Sequence, residues 1–405
     1  MTGPRIERRH ASDISSPSIA PVPSIDVVPD PAARDLRATS SRDPWSSDPE
    51  SRDPGWGTAR PHAPQPPGPS TPMRVARVDV GAVLVVPGRA MGEEPRRAVL
   101  PRGGLVPSDD GDDLSPTVGD VVLVVEDVDL RVARVLPRRS ALVRDSAGRT
   151  SRTQALAANV DVVLVVEHLD PAPHLGRVER LLTLAWGSGA RPVVVLTKAD
   201  LVPDADAVSR DVAAVALGAD VHTVSVPADI GLTPLRALLE PGVTLVAVGP
   251  SGAGKSTLVN ALAGAEVMAT GERRADGRGR HTTTHRELVG LPGGAWLIDT
   301  PGVRGVGLVA DEDALDATFA DVVELADRCR FRDCRHAEEP GCAVRAAIDA
   351  GELAARRLDS WRRLDREAAY QARRGDARLA AEERARWKKV VRENRGAIRP
   401  DPHGR

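Results

Sequence analysis

Two stretches of this chain carry the residue types that handle phosphate and a purine base. Gly249-Pro250-Ser251-Gly252-Ala253-Gly254-Lys255-Ser256-Thr257 satisfies the pattern G-x-x-x-x-G-K-[ST]. Its glycines let backbone N–H groups face phosphate oxygens, Lys255 brings an ammonium to the β/γ oxygens, and the Ser256 hydroxyl suits Mg²⁺. A strand-like run, Val243 to Val248, precedes it and a helix-like run, Ser256 to Ala263, follows. That context separates a working loop from a chance glycine-rich turn. Thr197-Lys198-Ala199-Asp200 reads as a guanine-recognition motif. Asp200 can accept from N1 and N2 of the base, and the Lys198 stem can lie along its plane. Thr197 stands where Asn is usual; a hydroxyl keeps one local hydrogen bond but not all those of a carboxamide. Ser225-Val226-Pro227-Ala228 follows the next strand-like run and is a candidate for a loop that touches the base through its backbone.

Asp299-Thr300-Pro301-Gly302 ends a further strand-like run. Asp299 suits indirect Mg²⁺ coordination, and the Gly302 N–H suits a γ-phosphate. Between this motif and the phosphate loop lies His281-Thr282-Thr283-Thr284-His285, where Thr283 could close on Mg²⁺ and γ-phosphate and release after hydrolysis. Val303 occupies the place where small GTPases carry a water-orienting Gln, so intrinsic hydrolysis should be slow and partner-dependent. His281 is the candidate to position the water; the competing reading is that it only shapes the switch. Lysine occurs only at 198, 255, 388 and 389. The two lysines outside the tail thus sit in the two motifs that need a compact ammonium.

The motif order is unusual. The base-reading motif precedes the phosphate loop, the reverse of an ordinary small GTPase, so the chain reads as a circularly permuted GTPase. A third constellation follows. All three cysteines fall in Cys329-x₄-Cys334-x-His336-x₅-Cys342, a complete Cys₃His shell for tetrahedral zinc. A disulfide would leave one cysteine over and would not explain the histidine. With no fifth ligand nearby, the expected site is structural.

The elements that must position these groups fall into five segments. Residues 1–72, rich in Pro, Ser, Asp and Arg, are expected to be a disordered extension. Residues 73–150 hold five short Val-rich runs, at Arg74–Val78, Gly81–Val86, Arg97–Leu100, Asp120–Val125 and Leu130–Val135, and predict a small β-barrel of the OB type with a junction. This barrel has no Phe, Trp or Tyr up to Pro137, so any RNA contact there would run through phosphate and shape. Residues 151–308 alternate buried strand runs with helix patterns, Leu175 to Trp186 among them, and predict the doubly wound α/β GTPase domain. Residues 309–370 predict a helical zinc-binding domain, and 371–405 a basic tail.

The formal net charge of −2 does not announce nucleic-acid binding, although the stretches 272–286 and 355–398 are rich in Arg. No secretory signal and no run long enough to span a bilayer is present, so a soluble cytoplasmic monomer without membrane association is expected.

These features together resemble the RsgA (YjeQ) family of ribosome-associated, circularly permuted GTPases. The resemblance covers about residues 73–365. It rests on the permuted order, on Ala158-Asn159-Val160-Asp161 at the domain junction, on Gly279-Arg280-His281-Thr282-Thr283-Thr284, on Asp299 to Gly302, and on the cysteine spacing with Cys329-Arg330-Phe331-Arg332-Asp333-Cys334. It implies an OB domain, a permuted GTPase domain and a C-terminal zinc domain. It further implies late maturation of the small (30S) ribosomal subunit, contact with its rRNA, and GTP hydrolysis stimulated by that subunit; it also favours His281 as the water-positioning group. The N-terminal extension and the basic stretch Arg384 to Arg395 lie outside it. Two other readings compete: an RNA-binding assembly factor in which GTP only sets affinity, and a P-loop ATPase, against which Asp200 and the motif order both argue.

Overall fold

The computed structural model describes residues 69–87, 94–109, 111, 113–144, 154–268, 286–299 and 312–372. Each of the five Val-rich runs becomes a barrel strand. These are β1 (Ser70–Asp79), β2 (Ala82–Pro87), β3 (Arg96–Val99) and, after the two-residue strands β4 (Val106–Pro107) and β5 (Asp113–Leu114), β6 (Val121–Glu126) and β7 (Leu130–Val135). The order is β1-β2-β3-β7-β6, and β6 pairs back onto β1, which closes the barrel. Alternate residues point inward, and Val75, Val83, Val85, Ala98, Val122, Val124 and Val132 form its core.

The expected extension is corrected at its end. Residues 70–72 belong to β1, where Ser70 pairs with Val125 and Pro72 with Leu123. Closing the barrel recruits them despite Pro72, which sits near the strand's start, where proline is tolerated.

A hairpin, β8 (Ala141–Arg144) and β9 (Gln154–Ala158), leads into the second layer. There follow β10 (Val162–His168), α1 (Leu175–Trp186), β11 (Arg191–Thr197), α2 (Ala205–Ala213), β12 (Asp220–Thr223), α3 (Thr233–Arg236), β13 (Thr244–Val248), α4 (Lys255–Ala263), β14 (Glu287–Gly290) and β15 (Trp296–Asp299). The sheet order is β12-β11-β10-β13-β15-β14; the first five are mutually parallel, and β14 is antiparallel to β15. β14 also meets β1, through Arg77 opposite Glu287. Near-continuous apolar strands follow from burial on both faces. Val163, Val165, Val194, Leu196, Val246 and Val248 pack on the α1 side, whereas Val162, Leu164, Val166, Val193, Val195 and Leu245 pack against α3 and α4.

Among the described residues from 312 to 372 the helices are α5 (Glu312–Thr318), α6 (Ala320–Ala326), α7 (Ala343–Asp349) and a segment over 355–372 that continues past the expected boundary at 370. Leu315, Phe319, Val322, Val344, Leu358 and Leu364 join the same core as α1. A buried ion network fastens this contact. Arg357, only 2% exposed, donates to Glu179 of α1 at 3.0 Å and to Asp321 at 2.9 Å, and its guanidinium lies 4.4 Å from the Phe319 ring centroid. Arg180 adds a bidentate pair with Glu367, both bonds 2.6 Å.

The stretch Ala158 to Asp161 joins barrel to sheet by side chains. Asn159 (φ 53°) donates to Gly119 O at 3.0 Å and accepts from Arg139 N at 3.0 Å, while Asp161 accepts from Thr244 N at 2.8 Å. Gly119 has no alternative here, because a Cβ on it would stand 2.1 Å from the Ala158 carbonyl oxygen. Arg74 of β1 reaches across to Thr244 Oγ1 at 2.6 Å, and burial pushes its guanidinium down to about 10.

Candidate functional site

Because β10, β11, β13 and β15 run parallel, their C-terminal residues His168, Thr197, Val248 and Asp299 share one edge of the sheet. The chain turns away in opposite directions on the two sides of β10, to β11 and β12 on one and to β13 and β15 on the other. Such a switch point opens a crevice beyond the strand ends, where ligands of doubly wound sheets bind.

The phosphate loop enters this crevice directly from β13. Gly249 adopts φ 147°, and a Cβ there would lie 2.0 Å from the Val166 carbonyl oxygen, so only glycine passes over β10. Gly252 and Gly254 are left-handed at φ 80° and 81°. Gly254 caps α4 without any side-chain bond, which leaves the first-turn N–H groups of a nine-residue helix directed at the loop. Backbone donors plus the positive helix end suit an anion, and the loop residues present fit a nucleotide phosphate. The Lys255 ammonium donates to Gly249 O at 2.9 Å and Pro250 O at 2.7 Å, which pins it across the loop.

The base-reading loop is tied to the phosphate loop by the residue that departs from the usual motif. Thr197 is 4% exposed, and its hydroxyl lies 2.7 Å from Ala253 O and 3.2 Å from Glu167 O. Its one proton is spent on backbone carbonyls. Lys198 takes a left-handed φ of 62°, and Ala199 begins a single 3₁₀ turn that exposes Asp200. Ser225, fully buried, donates to Asp200 Oδ1 at 2.6 Å. The sequence suggested that the Ser225 loop touches the base through its backbone; in the structure it is the side chain that is engaged, held on Asp200. A hydroxyl directly after the neighbouring parallel strand was the available signal.

Sequence reasoning missed Glu167. It is fully buried at the end of β10 and held by Arg177 of α1 through two bonds of 2.9 and 2.6 Å. It lies among apolar residues, so nothing in the pattern singled it out. Hydrogen bonding to Glu167 holds the Arg177 guanidinium above its ordinary value. Ser256 lies in the first turn of α4, and Asp299 ends β15. His281, Thr283 and Gly302 lie outside the described residues.

The Cys₃His group assembles as a separate centre. The four donor atoms of Cys329, Cys334, His336 and Cys342 all lie within 4.8 Å of one another. Cys329 Sγ stands 3.5 Å and Cys342 Sγ 3.6 Å from His336 Nδ1, and the two sulfurs are 3.9 Å apart. Tetrahedral zinc with its usual bond lengths needs S···N near about 3.5 Å and S···S near about 3.8 Å, so this donor set fits a four-coordinate metal. Burial, with Arg362 nearby, holds the His336 imidazole below its ordinary value and so in the neutral form a metal requires. Arg362 also donates to His336 O at 2.8 Å, and the Trp361 ring packs on the imidazole edge at 5.9 Å.

Permuted sheet, phosphate loop and base-reading loop define a circularly permuted P-loop GTPase fold. The sequence model of the RsgA GTPase family matches residues 135–309. The small ribosomal subunit biogenesis GTPase RsgA of Streptomyces avermitilis is 53% identical over 285 residues, covering 69% of this chain and 77% of that protein. Its namesake from Streptomyces coelicolor is 47% identical over 332 residues, covering 81% and 87%. This chain belongs to the RsgA family. Its fold is also that of YjeQ from Thermotoga maritima, with TM-score 0.54 and 24% identity over 74% of this chain and 99% of that one. YloQ, a circularly permuted GTPase, gives TM-score 0.53 at 24% identity, covering 75% and 96%.

Proposed function

We propose that this chain hydrolyses GTP to GDP and phosphate during late maturation of the small ribosomal subunit, in the cytoplasm, as a monomer that docks on the subunit's rRNA. The observation that carries the reading is the Thr197 hydroxyl, which joins the base-reading loop to the phosphate loop on one sheet edge in a member of the RsgA family.

Base choice follows from acceptors. Asp200, oriented by Ser225, offers carboxylate oxygens to a base edge. Guanine presents two donors there, N1–H and the N2 amine. Adenine presents an acceptor at N1 and would be repelled. With its proton spent on Ala253 O, Thr197 positions the loops and leaves discrimination to Asp200.

Residues 249–257 would cradle the phosphates, with Lys255 at the β/γ oxygens. Ser256 and Asp299 would hold Mg²⁺, which supplies neutralisation of the charge that develops on the phosphoryl oxygens. Thr283 and the Gly302 N–H would sense the γ-phosphate, and His281 would orient the attacking water, since Val303 cannot. Cys329, Cys334, His336 and Cys342 would hold one zinc ion, which supplies cross-linking of the loop and no chemistry on GTP.

Competition of GTP and ATP for the purified protein tests the base assignment. GTP should win by well over tenfold, and equal competition would remove it. His281→Ala should retain GTP binding and lose subunit-stimulated turnover; full turnover would assign His281 to shaping the switch.

A further inference from the structure

On the barrel and the GTPase domain several solvent-facing arginines pair with carboxylates, Arg96 with Glu126, Arg131 with Asp127, Arg236 with Asp229 and Arg191 with Asp220, while Arg97, Arg102 and Arg210 are exposed at scattered positions. Around the Cys₃His centre, Arg328, Arg330, Arg332 and Arg335 are all exposed. Among the described residues no carboxylate oxygen comes within 4.0 Å of their guanidinium groups, although Asp327 and Asp333 belong to the same stretch.

Among these arginines stands an aromatic ring. The chain has two phenylalanines; Phe319 is fully buried, whereas Phe331 is 41% exposed on the loop between Cys329 and Cys334. Its backbone is held on both sides. Cys334 N donates to Phe331 O at 3.3 Å, and Arg330 N donates to Gly341 O at 3.1 Å. Gly341, at φ 77°, lets the two turns approach, since a Cβ there would stand 3.0 Å from Arg330 Cβ. The Arg330 guanidinium carbon lies 5.4 Å from the Phe331 ring centroid. A ring presented from a cross-linked loop loses little conformational entropy when a partner settles on it.

We propose that Phe331, framed by Arg330 and Arg332, is a stacking platform for an unpaired RNA base, with Arg328 and Arg335 taking the neighbouring phosphates. The proposal rests on the ribosomal reading above and adds to it the surface that reads single-stranded RNA. Base–aromatic stacking tolerates any base and is strengthened by planar guanidinium groups. Unneutralised arginines supply the phosphate attraction. A protein partner would want a contiguous apolar centre, and no other large hydrophobic residue of this loop is exposed. The barrel has no aromatic residue through Pro137, so stacking has to come from elsewhere in the chain.

The test uses the full chain, bound to a non-hydrolysable GTP analogue, titrated with purified small ribosomal subunits at several salt concentrations. Phe331→Leu keeps apolar bulk without a π face and should weaken binding about tenfold, with the salt dependence unchanged. Phe331→Trp should bind as tightly as the parent or tighter. Arg332→Gln should weaken binding and flatten the salt slope by about 0.7. Metal content and GTP affinity, equal in all four proteins, exclude a folding defect. Parent-like binding by Phe331→Leu overturns the proposal. So does equal weakening by Leu and Trp, which would mark a shape-fitted protein pocket. Failure of the parent itself to bind subunits would instead remove the ribosomal reading together with the platform.

Discussion

The same parallel sheet carries two very different boundaries. At the C-terminal ends of its strands the structure is built from backbone. Gly249, Gly252 and Gly254 clear space, the α4 N-terminus keeps its amides uncapped by any side chain, and Asp200 stands exposed. On the flank of α1 the structure is built from buried side chains. Glu179 and Arg357 are almost wholly buried, and Arg357 also engages Asp321 and Phe319. The first boundary keeps donors available for a ligand; the second consumes them within the fold. One consequence concerns the chain after the second switch motif. It leads into helices already locked on α1, so a nucleotide signal reaching the metal centre would have to move α1 with them, or break the lock.

The contrast can be broken by substitution. The largest effect should come from Arg357→Ala. Removing this cation leaves buried Glu179 with only the partly exposed Arg356 at 2.9 Å and takes a partner from Asp321, which should cost about 3 kcal/mol of stability, read by denaturant unfolding, while the folded protein keeps its GTP affinity. A change below about 1 kcal/mol would show that the flank is not a lock. Next, Lys255→Ala should lose about 2–3 kcal/mol of nucleotide binding, roughly 30- to 160-fold, without altering unfolding. A large fall in stability instead would mean that its bonds to Gly249 and Pro250 hold the fold rather than the ligand. Ser225→Ala releases Asp200 and should narrow the preference of GTP over ATP by about tenfold, for roughly 1.5 kcal/mol of lost charge-assisted bonding. The smallest change should follow Thr197→Val, which leaves Ala253 O without its donor and should weaken nucleotide binding by about 1 kcal/mol, fivefold in titration.

Much of this was legible in the chain. Alternating Val runs predicted five barrel strands, and five closed into a barrel. The continuous runs at 162–166 and 193–196 predicted strands buried on both faces, because α helices cover both. The helix from Leu175 to Trp186 has the predicted bounds. Local pattern did not reach contacts between distant segments. β4, β5 and the β8–β9 hairpin are too short or too polar to show a period. β14 is defined by pairing with β15 and β1, not by composition. Arg357 is the sharpest case: within an Arg-rich stretch it reads as surface, yet Glu179 lies 178 residues away in sequence and makes its burial tolerable. At the site, Gly249 and Lys255 are singled out by spacing alone because the loop's pattern is local. The roles of Ser225 and Glu167 depend on which strands become neighbours, which only the sheet order supplies.

A GTP site at the strand ends is proposed to work in partnership with the small ribosomal subunit. Phosphate release from GTP, measured for the purified protein with and without small subunits, tests this most directly. The predicted result is slow turnover alone, a rise of at least about tenfold with subunits, corresponding to about 1.4 kcal/mol off the barrier, and none of it in Lys255→Ala. Equal rates with and without subunits, or stimulated turnover that survives Lys255→Ala, would contradict it.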